Sequence, residues 1–219
     1  HFKQKENNMT LIINNSNTWV TTAGGTSNFS FDVIGDYIIV AVAKRGSNAT
    51  PTVTCGGVAM VGIAAQGNSA LNFIYVFALR NPPTGVQTID VVNGGSTTDH
   101  GTFACSLSDS NATPVNTSNS GVTGSLSLTT TVPGCAIFHF ANAGTAIVNS
   151  NNLAASTNLT TIDNTSGAYI AARSTTFPQP SAGSITTEVT APGFTIASVS
   201  IAIAPATTLN QGASFFMVM

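Results

Sequence analysis

The sequence predicts an all-β protein, a single antiparallel β-sandwich, on three observations. Short runs rich in Val, Ile, Thr and Phe recur every 8 to 15 residues, the composition that suits a pleated, half-buried surface. Turn chemistry closes them at Gly24-Gly25, Gly56-Gly57, Pro82-Pro83 and Gly94-Gly95. No helical pattern competes with them.

In chain order, strands are expected from Met9 to Ile13, Thr18 to Thr22, Asn28 to Val33, Tyr37 to Lys44, Thr52 to Cys55 and on to Val61, Leu71 to Leu79 and Gln87 to Val92. Further strands are expected from Thr102 to Leu107, Ser125 to Val132 and Cys135 to Ala141, with four more after Ala154. Two textures separate them. Tyr37 to Ala43 and Ile196 to Ile203 are nearly continuous apolar or small runs, as central strands covered on both sides require. Ser125 to Thr130 alternates, which places one face in water. Together they predict a two-layer sandwich. The Asn/Ser/Thr-rich stretches Asp109 to Ser120 and Gly144 to Ser166 read as long exposed loops.

At 219 residues the chain fits one domain, since β-sandwiches run to about 200–250 residues as single units. The expected organisation is an arm at 1–16, the sandwich at 17–206 and a tail at 207–219. The arm carries Lys3, Lys5 and Glu6 within its first eight positions, which suits solvation or a partner. The tail ends Ser214-Phe215-Phe216-Met217-Val218-Met219, apolar side chains that need cover from the sandwich or from a neighbouring subunit. Phe2, Leu11, Ile12, Ile13, Phe215, Phe216, Met217 and Val218 are therefore the expected assembly residues.

Only 6% of residues are charged and the net charge is -2, against roughly 25% charged in an ordinary globular protein. Little repulsion keeps copies apart, so self-association is expected. The basic residues are scattered, Lys44-Arg45 being adjacent, and leave no footprint for nucleic acid or anionic lipid. Phe194 to Ala204 is about half the ~20 residues of a membrane helix and reads as a strand, so no membrane insertion is expected. Cys55, Cys105 and Cys135 each lie inside an apolar strand-like run and read as small buried hydrophobes.

The residues offer little convergent chemistry. The acids Glu6, Asp32, Asp36, Asp90, Asp99, Asp109, Asp163 and Glu188 are spread along the chain without a pair for hydrolysis. Asp99-His100 is an acid–histidine neighbour, but adjacent strand residues point to opposite faces, and such pairs in Gly-rich turns are usually solvated. His139 shares a strand face with Cys135 and Ile137, opposite Ala136, Phe138 and Phe140, and reads as a half-buried histidine with satisfied hydrogen bonds. No zinc or calcium spacing, phosphate loop, nucleophile elbow or dinucleotide fingerprint is present, so neither enzyme activity nor a cofactor or metal is expected. Trp19, a natural platform for a sugar ring, is the sole Trp, and most of the twelve Phe fall at core-like positions, which argues against a strong lectin.

Five segments in order carry a resemblance. They are the apolar strand from Tyr37 to Arg45, Thr52-Val53-Thr54-Cys55-Gly56-Gly57-Val58-Ala59-Met60, Phe73 to Gly85 with its Asn81-Pro82-Pro83-Thr84-Gly85 turn, Ala104 to Asp109, and Ile196 to Ala206 closing on Pro205-Ala206. Over roughly residues 17 to 206 the chain resembles a family of jelly-roll-like β-sandwich domains met in bacteriophage virion proteins and secreted bacterial proteins. Cys55 stands where that family more often has Tyr or another bulky residue. The resemblance implies a structural, adhesive or decorating module, with no catalytic motif to transfer. The leading expectation is a virion structural protein, a capsid-decorating or fibre-like subunit on the virion surface, whose partners are copies of itself and other structural proteins of the same assembly. Two alternatives remain: a subunit of an extracellular filament or surface layer in which Met9 to Ile13 completes a neighbour's sheet, and a carbohydrate-binding module that takes a cell-surface glycan through Trp19 or the Asn-rich loops.

Overall fold

The computed structural model describes residues 7–8, 11–21, 25–68, 72–94, 100–143, 156–162, 169–175, 181–188 and 195–208. Among them are strands and connecting turns, and no helix. The strands are β1 (Asn7–Asn8), β2 (Ile12–Thr21), β3 (Thr26–Val33), β4 (Tyr37–Arg45), β5 (Thr52–Cys55), β6 (Val58–Ala59), β7 (Val61–Gly67), β8 (Asn72–Arg80) and β9 (Gly85–Val92). They continue as β10 (His100–Ser108), β11 (Ser110–Gly121), β12 (Ser125–Thr130), β13 (Ala136–Ala143), β14 (Ser156–Ile162), β15 (Tyr169–Thr175), β16 (Gly183–Glu188), β17 (Ala197–Pro205) and β18 (Thr207–Thr208).

The protein is all-β, with antiparallel sheets packed face to face as in a β-sandwich; among the described residues four of the five sheets stack into four layers rather than the two expected, and the fifth is the short pair β1-β18. The inner pair are the five-stranded sheets β2-β10-β4-β8-β7 and β11-β17-β13-β15-β14. Between them lies a core of Ile39, Ala41, Phe103 and Cys105 from one sheet and Phe138, Phe140, Val199 and Ile201 from the other. The opposite face of the first inner sheet, with Ile38, Val40 and Val42, packs on the outer sheet β3-β9-β5-β6 through Phe31, Val53, Ile89 and Val91. The opposite face of the second, with Ile137 and Ala202, packs on the outer pair β12-β16 through Leu128 and Ile185. This explains the textures: β4, β10, β13 and β17 are buried along both faces, whereas β3 and β12 alternate because each covers the core from outside.

The two halves repeat one topology. The order β2-β10-β4-β8-β7 maps strand for strand onto β11-β17-β13-β15-β14, and β3-β9 maps onto β12-β16. Turns match as well: Gly35 and Gly134 precede β4 and β13 with φ of 108° and 80°, and Gly85 and Gly183 open β9 and β16 with φ of 80° and 155°. At Gly35 a side chain is doubly excluded, since a Cβ there would lie 2.1 Å from the carbonyl oxygen of Leu107. The inner sheets meet with β4 against β13, β10 against β15, β8 against β17, β2 against β14 and β7 against β11. Exchanging the halves returns these five pairings; β7 also packs on β17, with no comparable contact between β10 and β14, so the internal twofold axis between β4 and β13 is approximate.

Asp109, with φ of 62°, joins the halves. Asp36 accepts from the amide and hydroxyl of Ser110 at 3.3 and 3.1 Å, and Arg80 donates to the carbonyl of Asn111.

Several sequence expectations change. Within the expected loop Asp109 to Ser120, all but Asp109 lies in a strand: β11 is an edge of its sheet, where Pro114 and polar residues are tolerated, and its pairing to β17 shifts register at Val115 and Thr117. Within the second expected loop, Ser156–Ile162 forms β14; residues 144–155 and 163–168 lie outside the described residues. β7, placed in no expected strand beyond Val61, is another edge, and its small residues hid it. Ile12 and Ile13 of one expected strand and Thr18 to Thr21 of the next lie in the one strand β2, so residues 12–16 of the expected arm belong to the sandwich; Met9, Thr10 and Thr22 lie outside the described residues. At the other boundary, Thr207–Thr208 pair with Asn7–Asn8.

Candidate functional site

Buried polar side chains gather at one end of the first half. β4 ends in Lys44, whose register partner on β10 is His100. Both are almost fully buried, an environment that demands partners. The Lys44 ammonium donates to the carbonyls of Ala49 and Gly94, the latter at 3.2 Å, and lies 5.8 Å from the centroid of the Tyr75 ring. Burial lowers its pKa. Tyr75 donates its hydroxyl to Asn48 at 2.8 Å, so the 46–50 turn is held from two sides.

His100 bridges two layers. Its Nε2 lies 2.7 Å from Ser27 Oγ on β3, and its Nδ1 lies 2.7 Å from the Asn93 amide nitrogen beyond β9. Ser–His–Asn order invites a nucleophile reading. Ser27 and Asn93 occupy the two ring nitrogens of His100 and tie β3 to the segment beyond β9 through the imidazole. Burial, and then Lys44, push the His100 pKa down to about 4, so the imidazolium a hydrolase must form is disfavoured. The group is a latch between sheets. His100 is thus buried and hydrogen-bonded, not a solvated turn residue; the strand carries it inward on the same face as Ala104.

The same end is tied across the twofold. Asn142 of β13 donates to the carbonyls of Lys44 and Phe73 at 3.0 and 2.9 Å, and Asn68 donates to Thr195 at 2.8 Å. His139 lies on the face expected, toward the outer pair β12-β16, but is fully rather than half buried. Its Nδ1 lies 2.6 Å from Thr187 Oγ1 and 2.7 Å from Ser200 Oγ, and those two oxygens are 2.7 Å apart.

Of the expected assembly residues, Leu11 is buried in the core between the inner sheets, Ile13 packs against it, and Ile12 is half exposed. Phe2, Phe215, Phe216, Met217 and Val218 lie outside the described residues. Trp19 stacks on Phe29 with centroids 3.6 Å apart and edges onto Phe31, filling the seam between the first inner sheet and its cover. Cys55, Cys105 and Cys135 are buried free thiols; burial raises all three, Cys55 and Cys135 to about 11. Among the described residues no three His, Cys, Asp or Glu side chains converge as metal ligands.

Sequence reasoning missed the Lys44–His100–Asn93–Ser27 cluster. Its one signal was a lysine closing an otherwise apolar strand, where a solvated end is the ordinary case. Fold and site together define a layered all-β protein whose converging polar groups fasten sheets to one another. Neither a scan against protein-family models nor a search of curated proteins returns a match for this chain.

Proposed function

We propose that this chain is a non-enzymatic virion structural protein, a capsid-decorating or fibre-like subunit that works by shape and by contact with its neighbours. The observation that carries the reading is the stack of two like halves around one shared core, locked at one end by buried hydrogen bonds and carrying very little charge. Such a body resists local opening, because each inner sheet is covered on both faces. The burial of His100, which lowers its pKa to about 4 and keeps the imidazole neutral, supports a structural rather than a hydrolytic use of the cluster. The filament reading is less favoured, since Leu11 and Ile13 already serve the chain's own core. The sugar-binding reading loses one face of Trp19 to Phe29.

Electron microscopy of native source particles tests this. Regular density for the chain on an icosahedral shell or along a fibre is expected, and a soluble, unassembled protein overturns the proposal.

A further inference from the structure

A single residue joins the two halves. β10 ends at Ser108 in the first inner sheet and β11 begins at Ser110 in the second, so Asp109 alone carries the chain from one sheet to the other. It does so with φ of 62°, a left-handed conformation that costs energy for any residue with a side chain. Among the described residues the chain crosses between the halves here and nowhere else: β2 to β10 build the first inner sheet and its cover, and β11 to β17 build the second. The remaining pair, β1-β18, ties the two ends of the chain together.

Each half is apolar on the face that meets the other. Ile39, Phe103 and Cys105 on one side are covered by Phe138, Val199 and Ile201 on the other. The hydrogen bonds from Asn142 to Lys44 and Phe73, and from Asn68 to Thr195, also run between halves. None of these contacts requires both halves to belong to one molecule. The corresponding half of a second copy offers the same face with the same hydrogen-bond partners. The contacts at the hinge itself, Ser110 to Asp36 and Ala206 to the Asp109 carbonyl, are the ones that an exchange has to remake.

The hinge therefore decides. A closed chain holds its own second half at high effective concentration, but it must bend Asp109 into the left-handed region. Two chains that exchange halves keep the shared core and let Asp109 extend, so that His100 to Gly121 runs as one long strand. Short hinges under strain favour such an exchange, and a net charge of -2 puts little repulsion in its way.

We propose that two copies of this chain exchange halves at Asp109, residues 110–205 of each packing on residues 12–108 of the other. The proposal rests on the structural-subunit reading and names a way in which copies join.

Full-length protein, unfolded in guanidinium and refolded at millimolar and at micromolar concentration, tests it, with molar mass read by light scattering after size exclusion. The expected result is a dimer fraction in the concentrated sample that, once isolated, survives dilution well below the melting temperature, because its return to monomer requires the shared core to open. Asp109→Val, whose β-branched side chain disfavours positive φ, should raise the dimer-to-monomer ratio about tenfold, and Asp109→Gly, free of that strain, should lower it. If Asp109→Val does not fold, wild type against Asp109→Gly decides by the same ratio. Monomer alone at both concentrations, a dimer that dissociates on dilution, or a ratio indifferent to the residue at 109 overturns the exchange, and the subunit reading is then left to particle imaging.

Discussion

In the first half Val40, Ile89 and Ala104 meet between the inner and outer sheets; the second half has His139, Thr187 and Ser200 at the same three places. Register fixes the equivalence. Val40 pairs with Ala104 as His139 pairs with Ser200, and Ile89 and Thr187 each stand four residues past the glycine that opens their strand. The covers differ too: four strands, β3-β9-β5-β6, with an extensive apolar core on one side, and two strands, β12-β16, with a small one on the other. A broad cover is held by area, at roughly 25 cal/mol per Å² of apolar surface. A narrow cover buries less, and there directional hydrogen bonds in a dry setting supply the hold and fix the register. One topology thus accommodates two ways of fastening a sheet.

The largest effect should come where the halves do not differ. Phe138→Ala in the shared core leaves a cavity beside Phe140 and is expected to cost about 3–5 kcal/mol. Because both inner sheets line that core, thermal melting should remain one transition, shifted downward; separate transitions for the halves would show that the shared core does not couple them.

Next comes the polar triangle. His139→Val alone takes one hydrogen-bond partner from both Thr187 and Ser200, which keep each other, and should cost about 1–3 kcal/mol. The triple variant His139→Val, Thr187→Ile, Ser200→Ala copies the first half's apolar solution and should be less destabilised than His139→Val by itself. Chemical denaturation of the two variants decides; simple additivity would mean that the three side chains act independently.

The latch of the first half is expected to respond to acid. His100 has its pKa lowered to about 4 against an ordinary 6.5, so between these values the unfolded chain binds more protons than the folded one, and stability rises with pH. Its contribution is present in full above pH 6.5, is lost progressively as pH falls toward 4, and is constant below that. The expected loss is about 2–3 kcal/mol. Urea midpoints across that range measure it, and His100→Gln should flatten the slope.

Lys44→Met should give the smallest change. It removes a positive neighbour of His100 and should move the His100 titration upward, as NMR would follow. Overall stability should change by no more than about 1 kcal/mol, since relief of a buried charge offsets the lost contacts to Ala49 and Gly94.

Much of the fold was legible. The run from Tyr37 to Ala43 and the alternation of Leu126 and Leu128 name a strand covered twice and a strand covered once, because side-chain period two reports burial directly. β7 and β11 were not legible: both are edge strands, held by backbone hydrogen bonds that make few demands on side-chain type. The repeat was faint for a related reason. Phe73-Ile74-Tyr75-Val76 followed by Pro82-Pro83-Thr84-Gly85 has its echo in Tyr169-Ile170-Ala171-Ala172 followed by Pro180-Ser181-Ala182-Gly183. The shared features are size and turn chemistry rather than identity, and those are what a pleated sheet constrains.

The sequence by itself determined which residues are apolar, where the chain turns and which strands are wet on one side, since these follow from local periodicity and from glycine and proline geometry. Only the tertiary structure decided that the strands form four layers instead of two, that the halves meet about a twofold axis, and that His100 is gripped by Ser27 and Asn93. Those facts rest on contacts between residues far apart in the chain, made by backbone hydrogen bonds and by packing of faces, and a one-dimensional pattern records which faces must be buried but not which face buries them.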